Sequence, residues 1–355
     1  MRTDLLDYPL PEEHIASRPA TEREGARLLV VGAATLTHSS IRDWVGLVPA
    51  GALVVLNDTR VRRARVTAHK PTGGRVELLF LHRLEPDATL ADEPGAEPWA
   101  VLAHANRPLA PGARLVLEGA ELSVARRNSD GTAAVWVRAP GGVEALLERH
   151  GTLPLPPYLG RPADEEDGER YQTVFAREPG SAAAPTAGLH LSERMLGELR
   201  GRGVRLASLT LEVGAGTFLP VRSDDLDQHP MHEERFDIGV ELAHEIASAR
   251  ARGAPVVAVG TTVVRALESA SDAQRPGQVR ACNETTRLLI QPGFRFRVVD
   301  ALLTNFHAPR STLLALVSAF IGHERCLSAY RSALDAGYRF LSYGDAMWIP
   351  ERIDS

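Results

Sequence analysis

The sequence contains few cysteines and no long apolar segment. Its 355 residues include only two cysteines, Cys282 and Cys326, which excludes a disulfide framework or a cysteine-rich metal site. No apolar run reaches about 18 residues, so no membrane-spanning helix is expected. The first residues, MRTDLLDYPLPEEH, carry acidic side chains and prolines where a signal peptide has an apolar core. These absences predict a cytoplasmic protein that does not associate with membranes.

An excess of basic residues is also missing. The net charge is −5, which argues against a protein covered with basic surface. A local basic stripe could still bind phosphates while the remaining surface is acidic. The candidate stripe contains Arg60, Arg62, Arg63, Arg65, His69 and Lys70. From charge alone it is either a nucleic-acid contact or a solvated strand face.

The hydrophobic pattern divides the chain into two kinds of structure. Residues 64–152 contain about six strand-like runs, separated by turn signals such as PTGG and NSDG, and no convincing helix before Gly142. A small closed β-barrel is the simplest fold for so many short strands. The remaining chain contains the apolar strand ALVVLND and then an alternation of strands and helices, which is typical of an α/β domain. We therefore predict an α/β domain with a mostly parallel sheet, formed by residues 1–63 and 153–355, and a barrel inserted at 64–152.

Four predicted strands end in polar, small or ionisable residues. These ends are NDTR at 57–60, EVGAG at 212–216, GTT at 260–262 and TNFH at 304–307. In an open α/β sheet, ligands gather at the carboxyl ends of the strands. The GTT segment also opens a predicted helix, whose free N–H groups suit a carboxylate or another anion. The four ends therefore predict one shared cleft.

The EVGAG segment is similar to the glycine-rich turn with which many methyltransferases hold S-adenosylmethionine. Such a turn needs a helix directly after it, whereas Pro220 follows here within four residues. Thr217 and Phe218 also occupy the place of the third glycine. A methyltransferase is therefore disfavoured, although it stays an alternative.

Three histidines have suggestive neighbours. His190 comes just before the predicted helix cap Ser192, and His229 and His232 belong to the segment HPMHEE. This segment could hold a metal ion, but its proline and the lack of a clear helix disfavour that. A polar loop over a ligand, with His and Glu for proton transfer, fits the segment better.

Long blocks of the chain resemble the S-adenosylmethionine:tRNA ribosyltransferase-isomerase family of queuosine biosynthesis. The similarity extends over nearly the whole chain in the family's order. The blocks include RPATEREGARLLV, LVVLNDTRV, LPLPPYLGRPADEEDGERYQTVFA, AAPTAGLHLS, TLEVGAGTFLPVR, HPMHEE, VGTTVVRALESA, QPGFRFRVVDALLTNFHAPRSTLLALVSAF and YRFLSYGDAM.

The resemblance implies both a fold and a reaction. The fold is an α/β domain with an inserted β-barrel. The enzyme transfers and isomerises the ribosyl group of S-adenosylmethionine onto 7-aminomethyl-7-deazaguanine at the tRNA wobble position. The products are epoxyqueuosine-tRNA, adenine and methionine. S-adenosylmethionine is thus a substrate, no metal or other cofactor is expected, tRNA is the partner, and the protein is expected to be a monomer.

The same resemblance implies roles for residues in the matched blocks. The expected catalytic residues are His190, His232, Glu233, Asp58 and His307. The expected substrate-binding residues are Asn57, Arg60, Gly214, Ala215, Gly216, His229, Thr261, Thr262, Arg265, Asn305 and Asp345. Among these, Thr261 and Thr262 are expected at the methionine carboxylate, and the glycine-rich turn at the nucleoside.

The chain departs from the family pattern at four positions. Glu212 stands where a His is usual, Leu191 where a Phe is usual, Val263 where a Ser is usual and Ala308 where a Leu is usual. These departures leave open a paralogue that uses another acceptor. A non-catalytic tRNA-binding protein is the remaining alternative.

Overall fold

The computed structural model describes residues 1–85, 93–128, 131–214, 216 and 221–353. The strands are β1 (Arg27–Val31), β2 (Leu36–Ser40), β3 (Leu53–Asn57), β4 (Thr59–Val61), β5 (Arg65–His69), β6 (Arg75–Arg83), β7 (Glu97–Ala105), β8 (Arg114–Leu117), β9 (Ala120–Arg127), β10 (Thr132–Arg138), β11 (Glu178–Ser181), β12 (Arg205–Leu211), β13 (Glu234–Ile238), β14 (Val256–Val259), β15 (Cys282–Thr286), β16 (Ala301–Asn305) and β17 (Ala346–Ile349). The helices are α1 (Trp44–Leu47), α2 (Gly142–His150), α3 (Glu165–Arg170), α4 (Glu193–Gly201), α5 (Val240–Ala251), α6 (Thr261–Ser269), α7 (Thr312–Ile321) and α8 (His323–Asp335).

A nine-stranded sheet forms the larger part of the molecule, in the order β15-β13-β12-β3-β14-β16-β17-β1-β2. The four central strands β12, β3, β14 and β16 are parallel, as the strand–helix alternation predicts. The flanking strands add antiparallel pairs, which makes the sheet mixed. The short link between β1 and β2 requires them to pair antiparallel, because a parallel pair needs a crossover of about a dozen residues. The predicted class, an α/β domain with a barrel, is confirmed.

Helices cover both faces of the central strands. All five residues of β3 are buried, which is typical of a strand between two apolar layers. Leu53 and Val55 belong to the larger core, which also contains apolar residues of α5, α6, α7 and α8. Val54 and Leu56 belong to the opposite core, together with residues of α1 and α4. The carboxyl end of β3 is therefore fixed from both sides.

Strands β5 to β10 close into the predicted barrel, in the order β10-β7-β6-β5-β8-β9. Alternate residues such as Val66, Val76 and Phe80 fill its interior. Closure pairs β9 with β10 and leaves no open sheet edge. Helix α2 packs on this barrel and contributes Leu146 to the same core.

The chain enters and leaves the barrel at one place. Arg65 and Thr152 exchange two backbone hydrogen bonds of 3.1 and 2.7 Å. Beyond the barrel, β11 pairs in parallel with β4 and so lies beside the end of β3. This pairing brings the segment that precedes His190 to the central strands.

The described residues agree with two features of the composition. None of their helices combines the length and apolar character needed to cross a membrane. Both cysteines are free thiols, with Cys282 half-buried and Cys326 buried.

Candidate active site

The four predicted strand ends are neighbours in space. Strands β12, β3, β14 and β16 lie side by side and point the same way, so their carboxyl ends meet at one edge of the sheet. Such an edge is the usual ligand-binding position in an open α/β sheet. The arrangement assembles residues from distant parts of the chain, although ligand binding by each residue stays a prediction.

Asn57 connects three elements at this edge. Its Nδ2 donates to the carbonyl of Leu211 at 3.1 Å and to Oγ1 of Thr262 at 3.3 Å. Its Oδ1 accepts from the N–H groups of Leu211 at 3.0 Å and Thr59 at 3.2 Å. An amide side chain can donate two and accept two such bonds, so all of its capacity is used. Asn57 therefore holds β3, β12 and α6 together in this structure, instead of presenting a free group to a substrate.

The start of α6 lies at the same edge. Gly260 precedes the helix with a φ of 95°, a conformation that L side chains rarely adopt. The following residue, Thr261, is buried, and the first N–H groups of the helix have no partner within it. This geometry fits the predicted carboxylate site at Thr261 and Thr262.

A buried ion pair supports the glycine-rich turn after β12. Glu234 forms a salt bridge with Arg265 of α6, and both side chains are less than a tenth exposed. The second carboxylate oxygen of Glu234 accepts from the N–H of Gly214 at 3.0 Å. Arg265 also donates from Nε to the carbonyl of Leu288 at 3.1 Å. The pair thus couples the turn to α6, and Ala215 of that turn lies outside the described residues.

Glu233 and Glu234 occupy opposite faces of the chain. Glu233, the predicted catalytic residue, is exposed and accepts from Thr285 and from Arg287 at 3.2 Å. The Thr285 hydroxyl and the Arg287 charge lower the pKa of Glu233. Glu234 instead points inward with Phe236 and Ile238 along β13. That alternation is the signal by which the sequence could have indicated Glu234, which was not among the predicted residues.

Asp58 lies on the face of the sheet that carries Ser208 and Thr210, opposite the face that packs into the larger core. Its carboxylate accepts from Ser208 at 2.9 Å, from Thr210 at 2.8 Å and from Arg177 at 2.8 Å. These residues line a groove of about 680 Å³, to which Glu212 also contributes. Asp58 is therefore ordered and ionically paired at the rim of a space large enough for a ligand.

His190 and Asn305 bring unsatisfied polar atoms into the buried interior. Both residues are almost fully buried. Nε2 of His190 and Oδ1 of Asn305 make no hydrogen bond of good geometry with any described residue. Burial lowers the pKa of His190 to about 4, and the charge of Arg339 lowers it further, while a weak interaction with the Asn305 side chain opposes the shift. At neutral pH His190 is thus an unprotonated imidazole, which can accept a proton.

His307 is part of a polar contact inside an aromatic cluster. Its Nε2 lies 2.9 Å from Oγ1 of Thr304, and its backbone N–H donates to Oη of Tyr330 at 3.0 Å. Its carbonyl accepts from Oη of Tyr8 at 2.5 Å. Burial lowers its pKa to about 4. These bonds fix the segment that directly follows β16. The predicted catalytic role of His307 stays a prediction.

The HPMHEE segment brings His232 against the glycine-rich turn. A Cβ added to Gly216 would lie 3.1 Å from Cδ2 of His232, so only glycine fits without a shift. His229 is half-buried, and burial together with the nearby His232 lowers its pKa. Within the described residues, His229, His232 and Glu233 do not belong to any set of three groups that could hold a metal ion.

The last two predicted residues differ in their surroundings. Arg60 is exposed on β4, next to the end of β3. Asp345 is buried and accepts from the backbone N–H groups of Arg27 at 2.9 Å and Arg339 at 2.8 Å. Asp345 therefore holds two backbone segments together in this structure.

The family comparison covers almost the whole chain. Residues 3–349 match the family model described as Queuosine biosynthesis protein. The chain belongs to this family. Proteins named S-adenosylmethionine:tRNA ribosyltransferase-isomerase from Sorangium cellulosum and Anaeromyxobacter dehalogenans are 56% and 48% identical to it. Each comparison covers at least 98% of both chains.

A solved structure agrees with this membership. The S-adenosylmethionine tRNA ribosyltransferase from Thermotoga maritima is 31% identical, with a TM-score of 0.53. The comparison covers 97% of this chain and 99% of that one. The chain is accordingly a transferase.

Three of the four departures from the family pattern lie in packing positions. Leu191 and Val263 are fully buried in the two cores, and Ala308 packs against the larger one. Glu212 differs, because it lines the groove beside Asp58. It is therefore the departure placed to affect a ligand directly.

Acid should destabilise this fold through its buried histidines. His190 and His307 have folded pKa values of about 4, below the usual 6.5, so the unfolded chain binds more protons in this range. They do not oppose folding above about pH 6.5, and the loss of stability that they cause grows as the pH falls from there towards 4. Each should cost about 2 kcal/mol by pH 5. Urea unfolding at pH 7 and 5 measures this loss, and His307→Gln should reduce it; an unchanged loss in that variant would contradict the prediction.

Proposed function

We propose that this transferase moves the ribosyl group of S-adenosylmethionine to 7-aminomethyl-7-deazaguanine at the wobble position of tRNA and isomerises it. The products are epoxyqueuosine-tRNA, adenine and methionine. The observation that carries the proposal is the shared edge of β12, β3, β14 and β16 in a chain whose whole length matches the family. The relatives' names supply the donor and the tRNA acceptor.

The chemistry needs a base close to the ribose. The sulfonium charge acidifies the adjoining 5′ carbon of the ribose, so a positioned base can remove a proton there. His190 suits this role, because its buried imidazole is neutral and Nε2 has no partner among the described residues. The aminomethyl nitrogen must itself be neutral when it attacks the sugar. The departing adenine needs a hydrogen-bond donor or a proton as charge develops on it.

The remaining residues position the donor. The start of α6 at Thr261 offers free N–H groups to the methionine carboxylate. The turn at Gly214, supported by Glu234, allows the backbone to approach the nucleoside. Rate enhancement then comes chiefly from orientation and electrostatics, since S-adenosylmethionine is already activated.

One assay tests the proposal. The enzyme is incubated with S-adenosylmethionine labelled in the ribose and with tRNA that carries the aminomethyl base. Equal amounts of free adenine and of label in the tRNA are expected. Methyl transfer with release of S-adenosylhomocysteine would indicate a methyltransferase. Salt-dependent tRNA binding without turnover would indicate a binding protein, and turnover with only another acceptor would indicate a paralogue.

Replacing His232 with alanine should remove most of the turnover and leave folding intact. His232 lies over Gly216 in the turn, where it can contact the ligand, and it is only half-buried. We expect a reduction of about 10²- to 10⁴-fold in single-turnover adenine release, with an unchanged unfolding midpoint. An unchanged single-turnover rate would remove His232 from the set of catalytic residues.

A further inference from the structure

A narrow basic cavity lies beside His190. It encloses about 20 Å³, and its walls include Arg23, Arg170 and Arg339 together with His190. Glu22 also lines it, and its carboxylate forms a salt bridge with Arg42. None of the three arginines was predicted as a site residue. Arg23 and Arg170 are half-buried, and the side chain of Arg339 is 37% exposed. Three like charges beside one buried imidazole still require an explanation, because they repel one another.

Arg23 and Arg170 are oriented by backbone carbonyls, which leave their charge in place. Arg23 donates to the carbonyls of Leu189 at 3.4 Å and Glu169 at 2.9 Å. Arg170 donates to the carbonyls of Thr21 at 2.9 Å and Ala20 at 2.6 Å. Among the described residues, no carboxylate lies within 4.0 Å of Arg23.

The nearest carboxylates to the other two arginines, within the described part of the chain, are at the limit of ion-pair distance. Glu166 is 3.8 Å from Arg170, and Asp345 is 3.9 Å from Arg339. Both carboxylate oxygens of Asp345 accept hydrogen bonds from backbone N–H groups, which orients the carboxylate towards the backbone and not towards the Arg339 guanidinium. The cavity wall therefore keeps a net positive charge.

Two further observations indicate that this wall binds an anion. Nε of Arg170 and Nε2 of His190 are buried without a hydrogen-bond partner among the described residues. Burial and the charge of Arg170 lower the pKa of Arg23, and Glu169 partly offsets this. Burial and the charge of Arg339 lower the pKa of His190, and Asn305 partly offsets this. The groups repel one another, and a negatively charged ligand would relieve that repulsion.

We propose that this cavity is an oxyanion subsite of the enzyme, with Arg339 as its principal contact. The inference rests on the proposed function, because both substrates of that reaction carry oxyanions: the RNA phosphates and the methionine carboxylate, which would then lie here and not at the start of α6. A volume of about 20 Å³ admits one oxygen-sized group, so the oxyanion sits at the mouth with one oxygen inside. Arg339 is the contact because its guanidinium is the least engaged of the three.

Binding measurements on Arg339→Gln test the subsite. The titrated ligands are S-adenosylmethionine, a sulfonium nucleoside without the carboxylate, and the tRNA substrate at several salt concentrations. Arg331→Gln is the matched control, because it also removes one arginine charge. Arg331 lies exposed on α8 and, among the described residues, donates only to the carbonyl of Leu327. Loss of a charge-assisted hydrogen bond should weaken one of the ligands by about tenfold or more, whereas the control should bind like the wild type.

The pattern of the loss identifies the oxyanion. If it is the carboxylate, S-adenosylmethionine binds more weakly and the nucleoside without the carboxylate is unaffected. If it is a phosphate, tRNA binds more weakly and the slope of log affinity against log salt falls by about 0.7 to 0.9. Arg339→Lys should restore most of the affinity in either case, because it keeps the charge.

Two results would overturn the subsite. Both ligands could bind Arg339→Gln within about twofold of the wild type, or Arg339→Lys could lose as much affinity as Arg339→Gln. The second result would assign the effect to packing instead of charge. Adenine release by the wild-type enzyme is measured in parallel. If the wild type releases no adenine, the proposed function is refuted; if it does and the Arg339 variants bind normally, only the subsite is refuted.

Discussion

Replacing Glu234 with alanine is expected to lower the free energy of unfolding by about 3–5 kcal/mol. The substitution leaves Arg265 buried without its carboxylate partner, and the N–H of Gly214 loses its acceptor. Because Gly214 begins the predicted nucleoside-binding turn, turnover should fall as well. Urea denaturation measures the first effect, and adenine release under native conditions measures the second.

The neighbouring glutamate provides the control. Glu233→Ala removes an exposed carboxylate with partners at the surface, so its stability should stay within about 1 kcal/mol of the wild type. Adding Arg265→Ala to Glu234→Ala should cost less than the sum of the two single changes, since the double variant buries no unpaired charge. Equal losses for Glu233→Ala and Glu234→Ala would contradict the assigned geometry.

Replacing His190 with glutamine is expected to lower single-turnover adenine release by about 10²- to 10⁴-fold. Glutamine is close to histidine in size and polar, but it cannot take up a proton near neutral pH. S-adenosylmethionine should still bind within a few fold of the wild type, because the start of α6 and the turn at Gly214 are unchanged. The binding constant and the single-turnover rate therefore separate a base from a binding group.

His307→Gln is the companion variant. His307 is equally buried, but its Nε2 already contacts Thr304, whereas Nε2 of His190 has no partner among the described residues. If only His190 is the base, the single-turnover rate of adenine release should fall far less in the His307 variant than in the His190 variant. A near-normal single-turnover rate in His190→Gln would rule out His190 as the base.

Local patterns were sufficient to predict the barrel and the central strands. The barrel strands alternate apolar and polar residues between turn signals, so each can be found from its own sequence. The central strands are continuous apolar runs followed by polar residues, as in β3. The rule that ligands gather at carboxyl strand ends then indicated their common edge.

The flanking strands of the sheet could not be found in this way. Strand β15, with the sequence CNETT, is mostly polar and exposed, and it is a strand because it pairs with β13. Its place depends on long-range pairing that no local pattern encodes. The mixed character of the sheet was therefore not predictable from alternation alone.

The individual site residues depend on similar long-range contacts. Asn57 was predicted to bind substrate, which stays a prediction; in the structure its amide bonds Leu211, Thr59 and Thr262. Glu234 acquires its importance only through Arg265 on another element. Residue type and position at a strand end indicate the region, whereas the partners that decide a role come from elsewhere in the chain.

A crystal structure with bound S-adenosylmethionine tests the shared edge most directly. Ordered ligand density should lie across the carboxyl ends of β12, β3 and β14, in contact with the turn at Gly214 and the first N–H groups of α6. Density confined to the outer groove near Glu212, or to the barrel, with no contact to Gly214 or Thr261, would contradict this site.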